Sequence, residues 1–188
     1  MVHRGQRYLL GVAVGSCLAA GCAKAAGDPR LDTAESVISS FYAFDSTRVD
    51  SLLRTAGDAR ARILAYQGWA NGGNYTVERR EPCRLEPTAT VVCAVTVRDD
   101  IVRSLQLDLW VTDTFRFSFA DGVVSSVATS SNDPPVVGAA FKWVQENRPE
   151  LYSATGVCSD SAGPNRNPRE CARAVMVAFR EYRARPTP

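Results

Sequence analysis

The chain has 188 residues, 45% of them hydrophobic and 22% charged, with a formal net charge of +2. This length fits one domain with some additional chain, and the balance is that of an ordinary globular protein, neither disordered nor membrane-spanning. The basic excess belongs to residues 1–21, which contain Arg4 and Arg7 and no acid; the remainder is balanced, so nucleic-acid binding is not expected.

The N-terminus differs in kind from the rest. After the two arginines, residues 8–20 form an uncharged, largely apolar run, and small residues follow. This is the layout of an export signal, and it is too short for a comfortable membrane span. Two cleavage readings compete. Cutting at Ala23-Lys24-Ala25 releases a soluble chain. Alternatively, Leu18-Ala19-Ala20-Gly21-Cys22 resembles the lipobox of bacterial lipoproteins, which implies that Cys22 becomes a lipid-carrying N-terminus on a membrane surface. The stretch ending at Cys17 fits a shorter form of the same motif. The expected division is a signal over 1–21, a tether over 22–30, a domain over 31–133 and a helical extension over 134–188.

Four cysteines remain beyond Cys22: Cys83, Cys93, Cys158 and Cys171. An even number in an exported chain implies disulfides. Local pairing, 83 with 93 and 158 with 171, is expected because each pair encloses a turn-rich loop. These spacings do not match those of short zinc motifs, and the one histidine, His3, lies in the signal.

Along the chain, Asp32 to Glu35 reads as a capping box. It opens a helix with an apolar face of Leu31, Ala34, Val37, Ile38, Phe41 and Tyr42. A second helix starts at Asp45-Ser46. A third starts at Gly57-Asp58 and ends in Asn71-Gly72-Gly73-Asn74, residues that tolerate the left-handed conformation. The period then changes to two. Strands are expected over 75–81 and 90–98, separated by a turn at Glu86-Pro87-Thr88. A long strand follows from Leu105 through Phe119, with the odd positions on one face. A hairpin turn at Asp121-Gly122 and a return strand over 123–130 complete the sheet. Asn132-Asp133-Pro134 reads as the cap of another helix. Asn167-Pro168-Arg169-Glu170 starts a last one, with an apolar stripe that includes Val175 and Phe179.

Helices followed by antiparallel strands make an α+β order, with N-terminal helices on a curved antiparallel sheet and a C-terminal disulfide-tied helical extension. The text from Trp110 through Thr-Asp-Thr-Phe-Arg-Phe-Ser-Phe-Ala-Asp-Gly to Asn132-Asp133 resembles the nuclear-transport-factor-2-like superfamily. The three leading helices agree with that resemblance. It implies a sheet curled against helices to form a cone with a pocket. Members include isomerases, polyketide cyclases and epoxide hydrolases as well as proteins with no catalysis, so the fold alone does not decide function.

The residues narrow the choice. No histidine follows residue 3, so Ser-His-Asp and Cys-His catalysis are not expected, nor is histidine ligation of a metal. No phosphate loop or dinucleotide fingerprint is present, and no cofactor is expected. Asp113 is the one catalytic candidate. It shares the parity of Val111, Phe115 and Phe117, where burial would raise its pKa and suit it to act as a base. The competing and preferred reading is a bulge at Thr112-Asp113-Thr114 that turns the side chain to solvent. Tyr42, Tyr66, Trp69 and Trp110 either line a pocket or form plain core. Arg79-Arg80 reads as a solvated strand face. The expected function is a non-catalytic ligand-binding or interaction module in the cell envelope, with a small apolar ligand or an envelope protein as partner. The alternative is a small-molecule enzyme of the cyclase or isomerase type with an aspartate base. A structural role, with the last helix presenting Val175 and Phe179 to a partner, is a third reading.

Overall fold

A computed structural model describes residues 27–158 and 167–186; the signal, Cys17 and Cys22 lie outside the described residues. The order is α1 (Pro29–Tyr42), α2 (Ser46–Leu52), α3 (Asp58–Gly72), β1 (Thr76–Arg80), β2 (Arg84–Leu85), β3 (Val91–Arg98), α4 (Asp100–Ser104), β4 (Val111–Ala120), β5 (Val123–Ser131), α5 (Pro135–Asn147) and α6 (Pro168–Arg183), with a 3₁₀ turn at Pro149–Tyr152. The fold is α+β, with helices packed on a curved, open antiparallel sheet.

The first helix starts earlier than its capping box suggests. Asp28 is the cap and accepts from the Arg30 amide, with Pro29 in the first turn, where a missing N–H costs nothing. This frees Glu35 for a tertiary task. Its carboxylate accepts from the Cys83 amide at 2.5 Å and pairs with Arg80. Arg80 is therefore not a solvated strand residue like the exposed Arg79; its guanidinium ties the sheet edge to α1, donating also to the Ser39 hydroxyl.

The strand order is β1-β3-β4-β5, and β2 also pairs with β3, continuing the edge that β1 begins. Cys83 and Cys93 are disulfide-bonded, as are Cys158 and Cys171. Direct opposition of Cys83 and Cys93 would set charged residues of an unbroken strand against the buried valines of β3. The edge avoids this by slipping twice. One slip lies between Val77 and Arg79. The other lies between Arg80, which faces Val95, and Arg84, which faces Val92: four residues advance on one side and three on the other. The second break is where Glu35 supplies the Cys83 amide with an acceptor. Closing loops of this length is worth about 3 kcal/mol per disulfide in the chain-entropy model.

The expected long strand from Leu105 is corrected. Residues 100–104 form α4, capped by Asp99, and β4 begins only at Val111. Leu105 is buried as the C-cap of that short helix, and Gln106 adopts a positive φ that ends it. Leucines at every second position mimic a strand here, but Asp99 can accept from the Val102 amide and so nucleates a helical turn. The β4–β5 hairpin turns at Asp121 (φ 49°) and Gly122 (φ 78°), the two positive φ values of a type I′ turn.

The core joins all three parts of the chain. Phe41 of α1, Phe115 and Phe117 of β4, and Phe179 of α6 are all fully buried in one cluster. Val175 and Phe179 are buried rather than presented, which removes the stripe on which the structural-component reading depended. Helices α5 and α6 thus contribute to the same core as the preceding helices and the sheet. Helix α6 lies across α3 at two glycines one turn apart. A Cβ on Gly68 would meet Pro168 Cβ at 3.1 Å; one on Gly72 would collide with the Arg169 carbonyl oxygen and stand 2.9 Å from Ala172 Cβ.

Candidate functional site

Asp113 points inward. Its residue is 2% exposed, and the β3–β4 register runs unbroken from Val91 opposite Phe117 through Val95 opposite Asp113 to Val97 opposite Val111. The expected bulge at 112–114 is therefore absent. The irregularity of this hairpin lies instead on the β5 side, between Ser118 and Phe119. An aspartate is tolerated on the core parity because α1 and α3 bring phenols to it. The Tyr42 hydroxyl donates to Oδ2 at 2.8 Å, and the Tyr66 hydroxyl acts on the same carboxylate. Burial raises the Asp113 pKa, and the two hydroxyls, Tyr66 then Tyr42, draw it partly back. Burial, with the nearby Asp113 charge, raises both phenols in turn, so they stay protonated donors.

The Tyr42→Phe variant tests this clamp. It removes a hydrogen bond to a carboxylate and is expected to cost about 2 kcal/mol where Asp113 is ionised. Losing the donor also lifts the Asp113 pKa further, so denaturant unfolding should show a larger loss at pH 8 than at pH 4. An equal loss at both would mean that Tyr42 acts by packing alone.

Two adjoining cavities lie beside the clamp and share Tyr66, Trp69 and Phe141. The first, about 460 Å³, is walled mainly by apolar groups, including Ala65, Val157 and the Cys158 and Cys171 residues of the second disulfide. The second, about 250 Å³, is more polar and is lined by Tyr75, Asp99, Ser131 and Asp133 as well as the shared rings. Of the four aromatic residues proposed for a pocket, Tyr66 and Trp69 line these cavities. Tyr42 packs against Phe41 and Phe115 and serves Asp113. Trp110 is 56% exposed, with the Arg98 guanidinium 5.7 Å from its ring centroid. It is not a pocket residue, because it immediately precedes the inward-facing Val111 and projects outward.

Asp133 does not cap α5. The cap position is Pro134, without a side-chain hydrogen bond, and Asp133 stands at the exposed rim of the polar cavity. Its pKa is raised by partial desolvation, an effect that Ser131 opposes through a hydrogen bond. Asn132 is used elsewhere, its Oδ1 accepting from the Thr112 amide. Asp99 is the residue that sequence reasoning missed. It is 2% exposed, and burial pushes its pKa from 3.8 to about 6, against the Val102 amide hydrogen bond that favours the carboxylate. A signal was present: Asp99 continues the buried parity of Val95 and Val97, as Asp113 continues that of Val111. Among the described residues, no ion pair involves Asp99, Asp113 or Asp133, and no group of three or more metal-ligating side chains is found.

No family model matches this chain, and neither the curated proteins nor the solved structures contain a match. Function therefore has to be argued from the site. The disulfides fit an extracellular or exported protein. Among the described residues, no helix is long and apolar enough to cross a membrane.

Proposed function

We propose that the protein is an exported small-molecule-binding module on a nuclear-transport-factor-2-like scaffold, held to a membrane surface through a lipid on Cys22. The carrying observation is the pair of adjoining cavities that share Tyr66, Trp69 and Phe141. Together they offer an apolar chamber beside a polar one, the usual composition of a ligand site. The aromatic rings provide contact area at little entropic cost. The helices-then-sheet order and the inward face of β4 support the scaffold reading, and the sequence around Cys22 supports the anchor.

The anchor is tested by feeding expressing cells a radioactive fatty acid. Label on the wild type and none on Cys22→Ala is expected; an unlabelled, freely soluble wild type rejects the anchor. The pocket is tested by titrating the purified protein with hexanol in a calorimeter. Saturable binding that Trp69→Leu weakens is expected, and the absence of saturable heat rejects the pocket.

A second reading is general-base chemistry by Asp113. It is supported by the carboxylate's burial and its tyrosine partners, the arrangement that the aspartate-base alternative requires. Asp113 lines neither cavity, however, so a proton would have to pass through Tyr66, whose hydroxyl acts on Asp113 and whose side chain lines both chambers. Exchange of the α-protons of simple ketones measures this directly. Equal rates with the wild type and Asp113→Asn end it.

A further inference from the structure

The polar chamber has features that an apolar ligand does not need. Four aromatic residues line it: Tyr66, Trp69, Tyr75 and Phe141. Tyr66 and Tyr75 stand at 88° with ring centroids 6.4 Å apart, and Trp69 and Phe141 lie 5.8 Å apart. All four rings pack on the core on one side and line the cavity on the other. The faces of such rings are electron-rich and attract cations.

Two carboxylates complete the same wall. Asp99 uses Oδ1 on the Val102 amide at 2.7 Å, and Asp133 stands at the rim. Neither has an arginine or lysine partner among the described residues. Asp113 lines neither cavity, but its carboxylate is held by Tyr42 and by Tyr66, a residue of the chamber wall. Other acidic groups that meet arginines in this protein are matched: Asp50 by Arg60, Glu35 by Arg80, Glu181 by Arg148. Acids without a cationic partner that line one cavity with aromatic rings are the complement of a positively charged guest. Two carboxylates without a third ligand suit an organic cation, which also uses the ring faces, better than a bare metal ion.

We propose that this chamber is a site for an organic ammonium group, whose alkyl or aryl body lies in the apolar chamber across Tyr66, Trp69 and Phe141. The inference rests on the reading of the adjoining cavities as a ligand pocket, and adds the charge of the ligand. The ammonium takes the place of the missing cationic partner, and the shared rings contact its neck.

Calorimetric titration of the purified protein with three probes of equal chain length tests it: hexyltrimethylammonium, hexanol and hexyl sulfate. The ammonium is expected to bind about tenfold tighter than hexanol, with the sulfate weakest, a preference within reach of cation–ring and carboxylate contacts. Asp133→Asn, a change at the exposed rim, is expected to weaken the ammonium about tenfold and leave hexanol unchanged. Equal affinity for all three probes on the wild type overturns the charge assignment while leaving the pocket standing. So does an Asp133→Asn variant that weakens all three alike. No saturable heat from any probe overturns the pocket and the ammonium site together.

Discussion

The Gly72→Ala variant is expected to lose about 3 kcal/mol of stability, at the upper end of ordinary overpacking, although alanine is the better helix former by about 1 kcal/mol. The new methyl group would point at the Arg169 carbonyl oxygen and stand 2.9 Å from Ala172 Cβ. Neither obstacle is the free end of a flexible side chain. Relief requires α6 to move off α3, and α6 carries Val175, Ala178 and Phe179 into the common core. It is also tied to Cys158 at its first turn, so it cannot slide without disturbing the 3₁₀ segment and its neighbours. Gly68→Ala is the graded control. There the nearest atom is Pro168 Cβ at 3.1 Å, at the helix start, where a few tenths of an ångström suffice. Its cost should be about 1 kcal/mol or less. In thermal unfolding, about 3 °C per kcal/mol separates the two variants from each other and from the wild type. A Gly72→Ala protein as stable as the wild type would show that the α3–α6 contact is looser than described.

The second large effect has the opposite sign. Asp99→Asn is expected to stabilise the protein by about 3 kcal/mol at pH 8 and to leave it nearly unchanged at pH 4. The folded-state pKa of Asp99 is raised from 3.8 to about 6, chiefly by burial. A carboxyl raised in this way binds its proton more tightly in the folded than in the unfolded chain. Stability is then fullest below the unfolded pKa and falls as pH rises from about 4 through about 6, reaching its full cost above that. Asparagine removes the ionisation and keeps the cap, since its side-chain oxygen can accept from the Val102 amide as Asp99 Oδ1 does at 2.7 Å. Urea unfolding of both proteins at pH 4, 6 and 8 reads the difference. A variant that is weaker at pH 8 would mean that the carboxylate makes a favourable contact beyond its cap.

The two variants probe two ways in which this fold departs from a simple apolar core. One is a backbone approach so close that only glycine fits. The other is a set of acids on inward faces. Asp113 occupies a position in β4 where valine or phenylalanine would satisfy the sheet at no desolvation cost, and Asp99 caps α4 with a buried charge that asparagine would not carry. The ammonium assignment draws on the field of Asp99 together with Asp133 at the rim of the cavity. Stability and binding then oppose each other at Asp99.

Local features were readable from the chain itself. Period-three and period-four spacing places α1, α3 and α6; Asp45, Gly57 and Asn167 stand at helix caps, and Asp121-Gly122 makes the hairpin turn because both positions tolerate positive φ. The two short cysteine spacings lead to the pairing that the structure contains. Parity alone put Asp113 on the face of Val111 and Phe115. These are properties of neighbouring residues, set by sterics and hydrogen bonds within a few positions.

What the spacing did not reveal depends on residues far apart in the chain. Whether Asp113 bulges outward or turns inward is decided by Tyr42, 71 positions away, and by Tyr66 on another helix. Glu35 looks like a cap partner until Arg80 and the Cys83 amide arrive beside it. Gly72 reads as a helix terminator, and only α6 shows that its missing side chain makes room for another helix. Leu105, Leu107 and Leu109 alternate as a strand would, yet Asp99 caps a helical turn that ends at Leu105, and the strand starts only at Val111. Sequence by itself determined the longer helices, the β4–β5 hairpin turn and the disulfide pairing, because periodicity and turn chemistry are local. Tertiary structure decided which polar groups on those faces find partners, because desolvation and hydrogen bonding are settled only where distant segments meet.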